Sequence, residues 1–230
     1  MPWITDLADL VLGRACGLCQ APGPSLCPSC LDALRRRPPP EPVVIGHPPG
    51  DTVTVHYRLP YSGVGQRLLL DYKEHGDRSL RRPLGVLLAD AIESCIADDA
   101  STAEMLVPVP GHARPRRGFP ALPDLLRLAH LELAARGART LVAPAVSMHR
   151  DHAPLKGRGR LERWRTVRHA FDVDPSAVRR LARARVIVVD DVVTTGATVL
   201  EAVRALRRAG LDVHDAAAVC HREAGAAARV

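Results

Sequence analysis

Val186-Ile187-Val188-Val189-Asp190-Asp191-Val192-Val193-Thr194-Thr195-Gly196-Ala197-Thr198 is the stretch whose reading decides the fold. Val186 to Val189 are apolar and mostly β-branched, the pattern of a parallel strand buried on both faces. Asp190 and Asp191 stand where that strand is expected to end. A small, hydroxyl-rich loop follows. Beyond it Val199, Leu200, Val203 and Leu206 recur at helical spacing, Ala202, Ala205 and Ala209 fill between, and Gly210 is placed to end the helix.

A strand, a tight loop and a helix N-terminus together make an anion site, because the first N–H groups are free and the helix dipole is positive there. Gly196 allows close backbone approach. The hydroxyls of Thr194, Thr195 and Thr198 can donate to phosphate oxygens, and Ala197 keeps the loop small. Two carboxylates repel a phosphate but suit vicinal hydroxyls or a hydrated Mg²⁺. Phosphate on the loop and a diol on the carboxylates describe a ribose 5-phosphate. The competing reading is a buried strand and an ordinary turn, but DD-x-x-TTGAT ahead of an amphipathic helix is a much rarer pattern than a strand ending in two aspartates. The stretch resembles the signature of type I phosphoribosyltransferases, which bind phosphoribosyl pyrophosphate (PRPP), at all thirteen positions.

The chain has 230 residues, room for one substantial α/β domain and a small module. Apolar residues make up 47% and aromatics only 3%, so the core must be built from Leu, Val, Ile and Ala. No apolar run approaches the roughly eighteen residues of a membrane span, and no secretory signal is evident; a cytoplasmic protein is expected. The formal charge is +7, and of 32 basic residues only Lys73 and Lys156 are lysines. Such a balance suits a polyanionic ligand, PRPP or nucleic acid, or else is a solvated basic surface.

Residues 4 to 12 have the spacing of a short amphipathic helix. Cys16-Gly-Leu-Cys19 and Cys27-Pro-Ser-Cys30 follow, seven residues apart. Paired CxxC knuckles bring four thiolates within tetrahedral reach of structural Zn²⁺. Two disulfides compete with that reading, and the expected compartment argues against them. Cys95 and Cys220 fall in apolar patterns and read as buried thiols. Pro38-Pro-Pro-Glu-Pro42 is a stiff linker. The division expected is a zinc-binding module over 1–37, a linker over 38–51 with 43–50 irregular, and the main domain over 52–230.

Within that domain 52–59 alternates as a strand, a helix starts at Gly63 and ends near Gly76, and a second apolar helix runs from Leu80 to Cys95. A strand over 104–109 leads into the loop that carries His112, Arg114, Arg116 and Arg117. A helix over about 123–135, a strand over 139–147 and a long basic, polar stretch over 148–169 come next. Phe171 and Val173 start a return strand, 175–184 is a connector, and Val213 to Val219 is the last strand.

A four-cysteine knuckle, a linker and a basic α/β domain ending in the quoted stretch resemble the ComF family. This is a competence-associated branch of the type I phosphoribosyltransferase fold. Leu70-x-Tyr-Lys73-x-x-Gly76 is similar to that family's lysine motif, and Val107-Pro-Val-Pro110 with Arg116-Arg-Gly-Phe119 is similar to its PVP…RGF segment. The resemblance implies a parallel sheet flanked by helices, a flexible hood over 150–171, and a pyrophosphate loop after residue 110. It further implies Asp190 and Asp191 as the catalytic, ribose-binding pair. Lys73, Arg114, Arg116, Arg117, Arg160 and Arg163 would face the pyrophosphate or close over it, with Arg158, His149 and His152 near by, and Mg²⁺ would accompany PRPP. The chain departs from the family where Pro120-Ala121 replace Asn-Gln, where His152 replaces a glutamine, and where an asparagine is missing near Arg163. Proline has no N–H and alanine no polar side chain, so two polar partners are lost. Two functions are therefore expected: phosphoribosyl transfer to an unknown acceptor, or a non-catalytic or PRPP-sensing competence factor that binds single-stranded DNA or a DNA-handling partner.

Overall fold

The structure is a computed structural model that describes residues 15–46, 51–96, 103–111, 120–148, 170–181 and 184–222. The lead-in over 4–12, most of the arginine loop and the basic stretch with Arg158, Arg160 and Arg163 lie outside the described residues.

The chain order is α1 (Pro28–Arg36), β1 (Val43–Gly46), β2 (Thr52–Pro60), α2 (Gly63–Lys73), α3 (Arg81–Glu93), β3 (Glu104–Pro108), α4 (Ala121–Ala135), β4 (Thr140–Val142), β5 (Val146–Met148), β6 (Phe171–Val173), α5 (Pro175–Leu181), β7 (Arg185–Val193), α6 (Ala197–Arg208) and β8 (Asp212–His221). Six strands form one sheet in the order β1-β2-β8-β7-β3-β4, and β5 and β6 form a separate antiparallel pair. Every neighbour in the large sheet is parallel except β1 on β2.

β7 lies near the middle of that sheet, and Val186, Ile187, Val188 and Val189 are fully buried. Burying each contributes about 1.5–3 kcal/mol, which is why a continuous apolar run is needed there. The strand runs past its expected end: Asp190 pairs with Ala218, and Val192 with Cys220. α6 buries Val199, Leu200, Val203 and Leu206 as its spacing requires. Its C-terminus is closed by Leu211 N–H donating to Leu206 O (3.1 Å), with Gly210 at φ 84°.

Crossover handedness sets the layers. β2→β3 and β3→β4 step one way across the sheet and β7→β8 the other. Right-handed connections therefore put α3 and α4 on one face and α6 on the opposite face, where it meets the β5–β6 pair. α3 and α4 cross closely at Gly85, where an added Cβ would sit 2.7 Å from Leu128 Cβ.

Several elements differ from the sequence reading. Val43–Gly46, expected to be irregular, is the edge strand β1. The strand expected over 139–147 is two, β4 in the large sheet and β5 in the small one, with Pro144 between them. The connector over 175–184 holds the helix α5. Asp174 accepts from Ser176 N (2.9 Å) at its start, and Pro175 suits a first helical position. α4 begins at Ala121, two residues early. Cys95 and Cys220 are buried as expected.

Gly85→Val should destabilise the fold by about 1–3 kcal/mol, because a β-branched side chain cannot fit the α3–α4 crossing; the shift of the urea-unfolding midpoint measures it.

Candidate functional site

In an open α/β sheet, ligands bind beyond the carboxyl ends of the strands, where neighbouring connections leave in opposite directions. Here that switch lies between β3 and β7, whose following helices are on opposite faces. The strands are in register there, Pro108 beside Val189, and Val109 N–H donates to Val189 O (2.9 Å). The loop after Val109 and the loop after Val193 therefore leave the sheet side by side. Arg114, Arg116, Arg117 and His112 belong to the first loop but lie outside the described residues.

The acidic pair stands in β7 itself, just ahead of the second loop. Asp191 is 5% exposed, and its two carboxylate oxygens take the Lys73 ammonium at 2.9 Å and 2.8 Å. Lys73 is the last residue of α2, 118 positions earlier in the chain. Burial works against the Lys73 charge, but Asp191 outweighs it and holds the ammonium's pKa above its ordinary value. Asp190 is placed differently: its Oδ1 accepts from the Asp191 backbone N–H at 2.8 Å. Burial, and next the Asp191 charge beside it, push the Asp190 carboxyl up to about 7, while Lys73 pulls it down.

Thr194, Thr195 and Gly196 turn the chain into α6. Gly196 has φ 77°, a left-handed backbone that favours glycine, and a Cβ there would also press on the end of the Ile45 side chain from β1, with Cδ1 at 2.6 Å. Thr195 Oγ1 lies 3.4 Å from Ala197 N. The hydroxyls of Thr194 and Thr198 have no partner among the described residues, and no side chain caps α6.

The arrangement thus brings Lys73, Asp190 and Asp191 together beside the 194–198 loop. Lys73, grouped by the sequence reading with cations facing a pyrophosphate, is the counter-ion of Asp191. The sequence reading also missed the support behind Lys73. Tyr72 donates its hydroxyl to Asp124 (2.9 Å), and Arg81 clamps the same carboxylate through Nε (2.7 Å) and Nη2 (2.5 Å). Tyr72 precedes Lys73, and Asp124 is in the first turn of α4, so this contact ties the end of α2 to the helix that follows the arginine loop. The only signal in the sequence is that Tyr72 adjoins Lys73.

The four N-terminal cysteines form a second centre. Their sulfurs all lie within 4.8 Å of one another, Cys19 Sγ and Cys27 Sγ being 3.8 Å apart. Four sulfurs at about 2.3 Å from a tetrahedral zinc are about 3.8 Å apart, so the donor set and spacing fit such an ion. All six cysteines are free, and the alternative of two disulfides is not what the structure has. Cys27 N–H points at Cys16 Sγ (3.5 Å). Burial would raise the Cys16 thiol, but this N–H and those of Cys19 and Leu18 prevail and draw it down to about 6, toward the thiolate that a metal takes. The module is fastened to the sheet by the nearly buried Arg58 of β2. It donates to the carbonyls of Leu34 (2.9 Å) and Arg37 (3.1 Å) and so satisfies the C-terminus of α1. Arg67 donates to Gly17 O (2.9 Å), and Ser25 bonds Asp77.

No helix among the described residues is long and apolar enough to cross a membrane. Residues 116–229, just under half of the chain, match the family described as phosphoribosyl transferase domain. A comparison with curated proteins gives no match. Among solved structures, adenine phosphoribosyltransferase from Saccharomyces cerevisiae, complexed with an imino-altritol bisphosphate and adenine, is 15% identical with a TM-score of 0.33, over 85% of this chain and 89% of that one. Orotate phosphoribosyltransferase from Aeropyrum pernix is 18% identical with a TM-score of 0.32, over 85% of this chain and 83% of that one. Adenine phosphoribosyltransferase from Rhodothermus marinus is 14% identical with a TM-score of 0.35, over 84% of this chain and 98% of that one. The family match spans β7, the acidic pair, the 194–198 loop and α6, and the fold is of the phosphoribosyltransferase-like α/β class.

An aspartate whose folded pKa exceeds its unfolded value of about 3.9 stabilises the fold most when protonated. The Asp190 contribution is therefore full below about pH 4 and lost as pH rises through about 7. Asp190→Asn should flatten the fall in melting temperature between pH 5 and pH 8, and should be more stable than the parent at pH 8 by a few kcal/mol. For the cysteine centre, elemental analysis of purified protein should find one zinc per chain. Chelation, or Cys19→Ser with Cys27→Ser, should remove it and lower the melting temperature.

Proposed function

We propose that this chain binds PRPP, with Mg²⁺, beyond the carboxyl ends of β3 and β7, and transfers its phosphoribosyl group to an acceptor. The observation that carries the reading is the convergence of three features at one place: the switch point between β3 and β7, the Asp190–Asp191 pair, and a loop entering a helix N-terminus at Gly196. The family match over 116–229 supports it.

In this reading the amides at the start of α6 and the hydroxyls of Thr194, Thr195 and Thr198 hold the 5-phosphate. Asp190 and Asp191 accept from the ribose hydroxyls. The anomeric carbon then faces the crevice beside β3. As its bond to pyrophosphate lengthens, charge grows on the leaving oxygens and an oxocarbenium-like centre forms. In this reading Arg114, Arg116 and Arg117 would meet that charge, and Arg160 and Arg163 would close over it and exclude water. Mg²⁺ would supply further neutralisation of the pyrophosphate and ribose oxygens. Lys73 holds the Asp191 carboxylate in position for the ribose. Zinc on Cys16, Cys19, Cys27 and Cys30 is structural, and the knuckle docked through Arg58 supports the narrower kinship with the ComF family.

The alternative, binding of single-stranded DNA to a basic surface, loses part of its motivation. Arg35, Arg58, Arg81, Arg136, Arg185, Arg204 and Arg207 all pair with carboxylates or carbonyls of the chain itself.

Calorimetry with PRPP and Mg²⁺ should show binding by the parent and a loss of at least a hundredfold in Asp190→Asn/Asp191→Asn. Equal affinity in the two proteins would remove the site from this position.

A further inference from the structure

A groove of about 410 Å³, lined by none of the acidic site's residues, lies along the outer faces of α3 and α4. Its wall is cationic, formed by Arg78, Arg81 and Arg82 with Ser79, and its floor is apolar, formed by Val86, Leu128 and Leu131. Leu131 is 53% exposed, a large apolar side chain left open to water beside three guanidinium groups. That volume lies within the range of small-molecule sites.

The charges in the wall are not equivalent. Arg81 is engaged with Asp124 through two nitrogens. Arg78 also lies near that carboxylate, at 3.7 Å, with its side chain 60% exposed. Arg82 is exposed and has no hydrogen bond or ion pair among the described residues. The acidic groups beside the groove are already in use. Asp124 also takes the Tyr72 hydroxyl, and Glu132 at the rim is paired with Arg136 at 3.1 Å. Among the described residues, Arg82 is left uncompensated next to apolar surface. An anion alone would leave the leucines wet, and an apolar molecule alone would leave Arg82 unmatched.

We propose that this groove binds a small amphipathic anion, a phosphate or carboxylate on an apolar body. Its head is taken by Arg82 and Arg78, and its body lies over Val86, Leu128 and Leu131. A guanidinium takes such oxygens two at a time, and the apolar floor removes the rest of the molecule from water. The site is separate from the one proposed for PRPP and does not depend on that reading.

The test is calorimetry on the full chain with three probes: octyl phosphate, octanol and inorganic phosphate. Octyl phosphate should bind at least tenfold tighter than either of the others. Arg82→Glu and Leu131→Asp should each weaken it at least tenfold, Arg82→Gln should weaken it less than Arg82→Glu, and Asp190→Asn/Asp191→Asn should leave it unchanged. Both Arg82 and Leu131 are on the surface, and thermal melts confirm that each variant is folded. Four results would each overturn the proposal. They are octyl phosphate binding no tighter than inorganic phosphate, affinity indifferent to Arg82→Glu, affinity lost in the double aspartate variant, and concentration-dependent dimerisation abolished by Leu131→Asp. The last would mean that a second copy covers the groove.

Discussion

A lysine ammonium held against both oxygens of Asp191 is what allows two successive aspartates to sit inside the sheet. Two neighbouring carboxylates in a site poor in water repel each other, and an unpaired one is costly to bury. Lys73 offsets one charge, and the carboxyl of Asp190 answers by holding its proton up to about pH 7. The compensation constrains much else. Lys73 must end α2 at the right depth, and Tyr72 beside it is fixed by Asp124, which Arg81 in turn clamps from α3. α2, α3 and α4 are thereby set relative to β7 by one polar chain as well as by their apolar faces. Removing one partner of such a pair costs more than the pair itself contributes, because the other charge stays behind.

The strand, loop and helix around Asp190 could be read from the residues because each is encoded locally. A run of β-branched residues permits little but a buried strand, and the i, i+3, i+4 spacing after Thr198 permits little but a helix. The four cysteines are equally local, since their spacing fixes their meeting. What escaped is what depends on partners far away in sequence. β1 is four residues long, leaves Val44 67% exposed, and is a strand only because β2 lies beside it. The Lys73–Asp191 contact joins residues 118 positions apart, and no periodicity carries that information. α5 and the split at Pro144 are different, because Asp174-Pro175 is a helix start and Pro144 a strand break that residue chemistry alone could have flagged.

The arginine load also changes meaning once the fold is known. A formal charge of +7 on 230 residues suggests a surface that seeks polyanions. Much of the described arginine serves the interior instead. Arg58 finishes α1, Arg207 takes the Val213 carbonyl through two nitrogens, and Arg136 joins Asp90, Glu93 and Glu132 across α3 and α4. Its planar, multiply donating head suits this use, because one side chain satisfies several oxygens at once. With only two lysines in the chain, Lys73 is all the more pointed a choice: an ammonium is a compact charge that fits between two carboxylate oxygens without needing the width of a fork.

The edge strand that the sequence hides bears on the site more directly than its length suggests. Gly196 turns into α6 through a left-handed conformation, and Ile45 of β1 occupies the space that a side chain at 196 would need. The loop of threonines is therefore held from outside by β1 and from below by β7, and its shape does not depend on a ligand to form it. A loop that is already in place loses little entropy when an anion arrives, so its affinity is not spent on ordering. That is the physical difference between a turn that happens to follow a strand and a cradle. The cradle's backbone is over-determined, here by a positive φ, a touching isoleucine and a strand fixed on both sides by parallel neighbours.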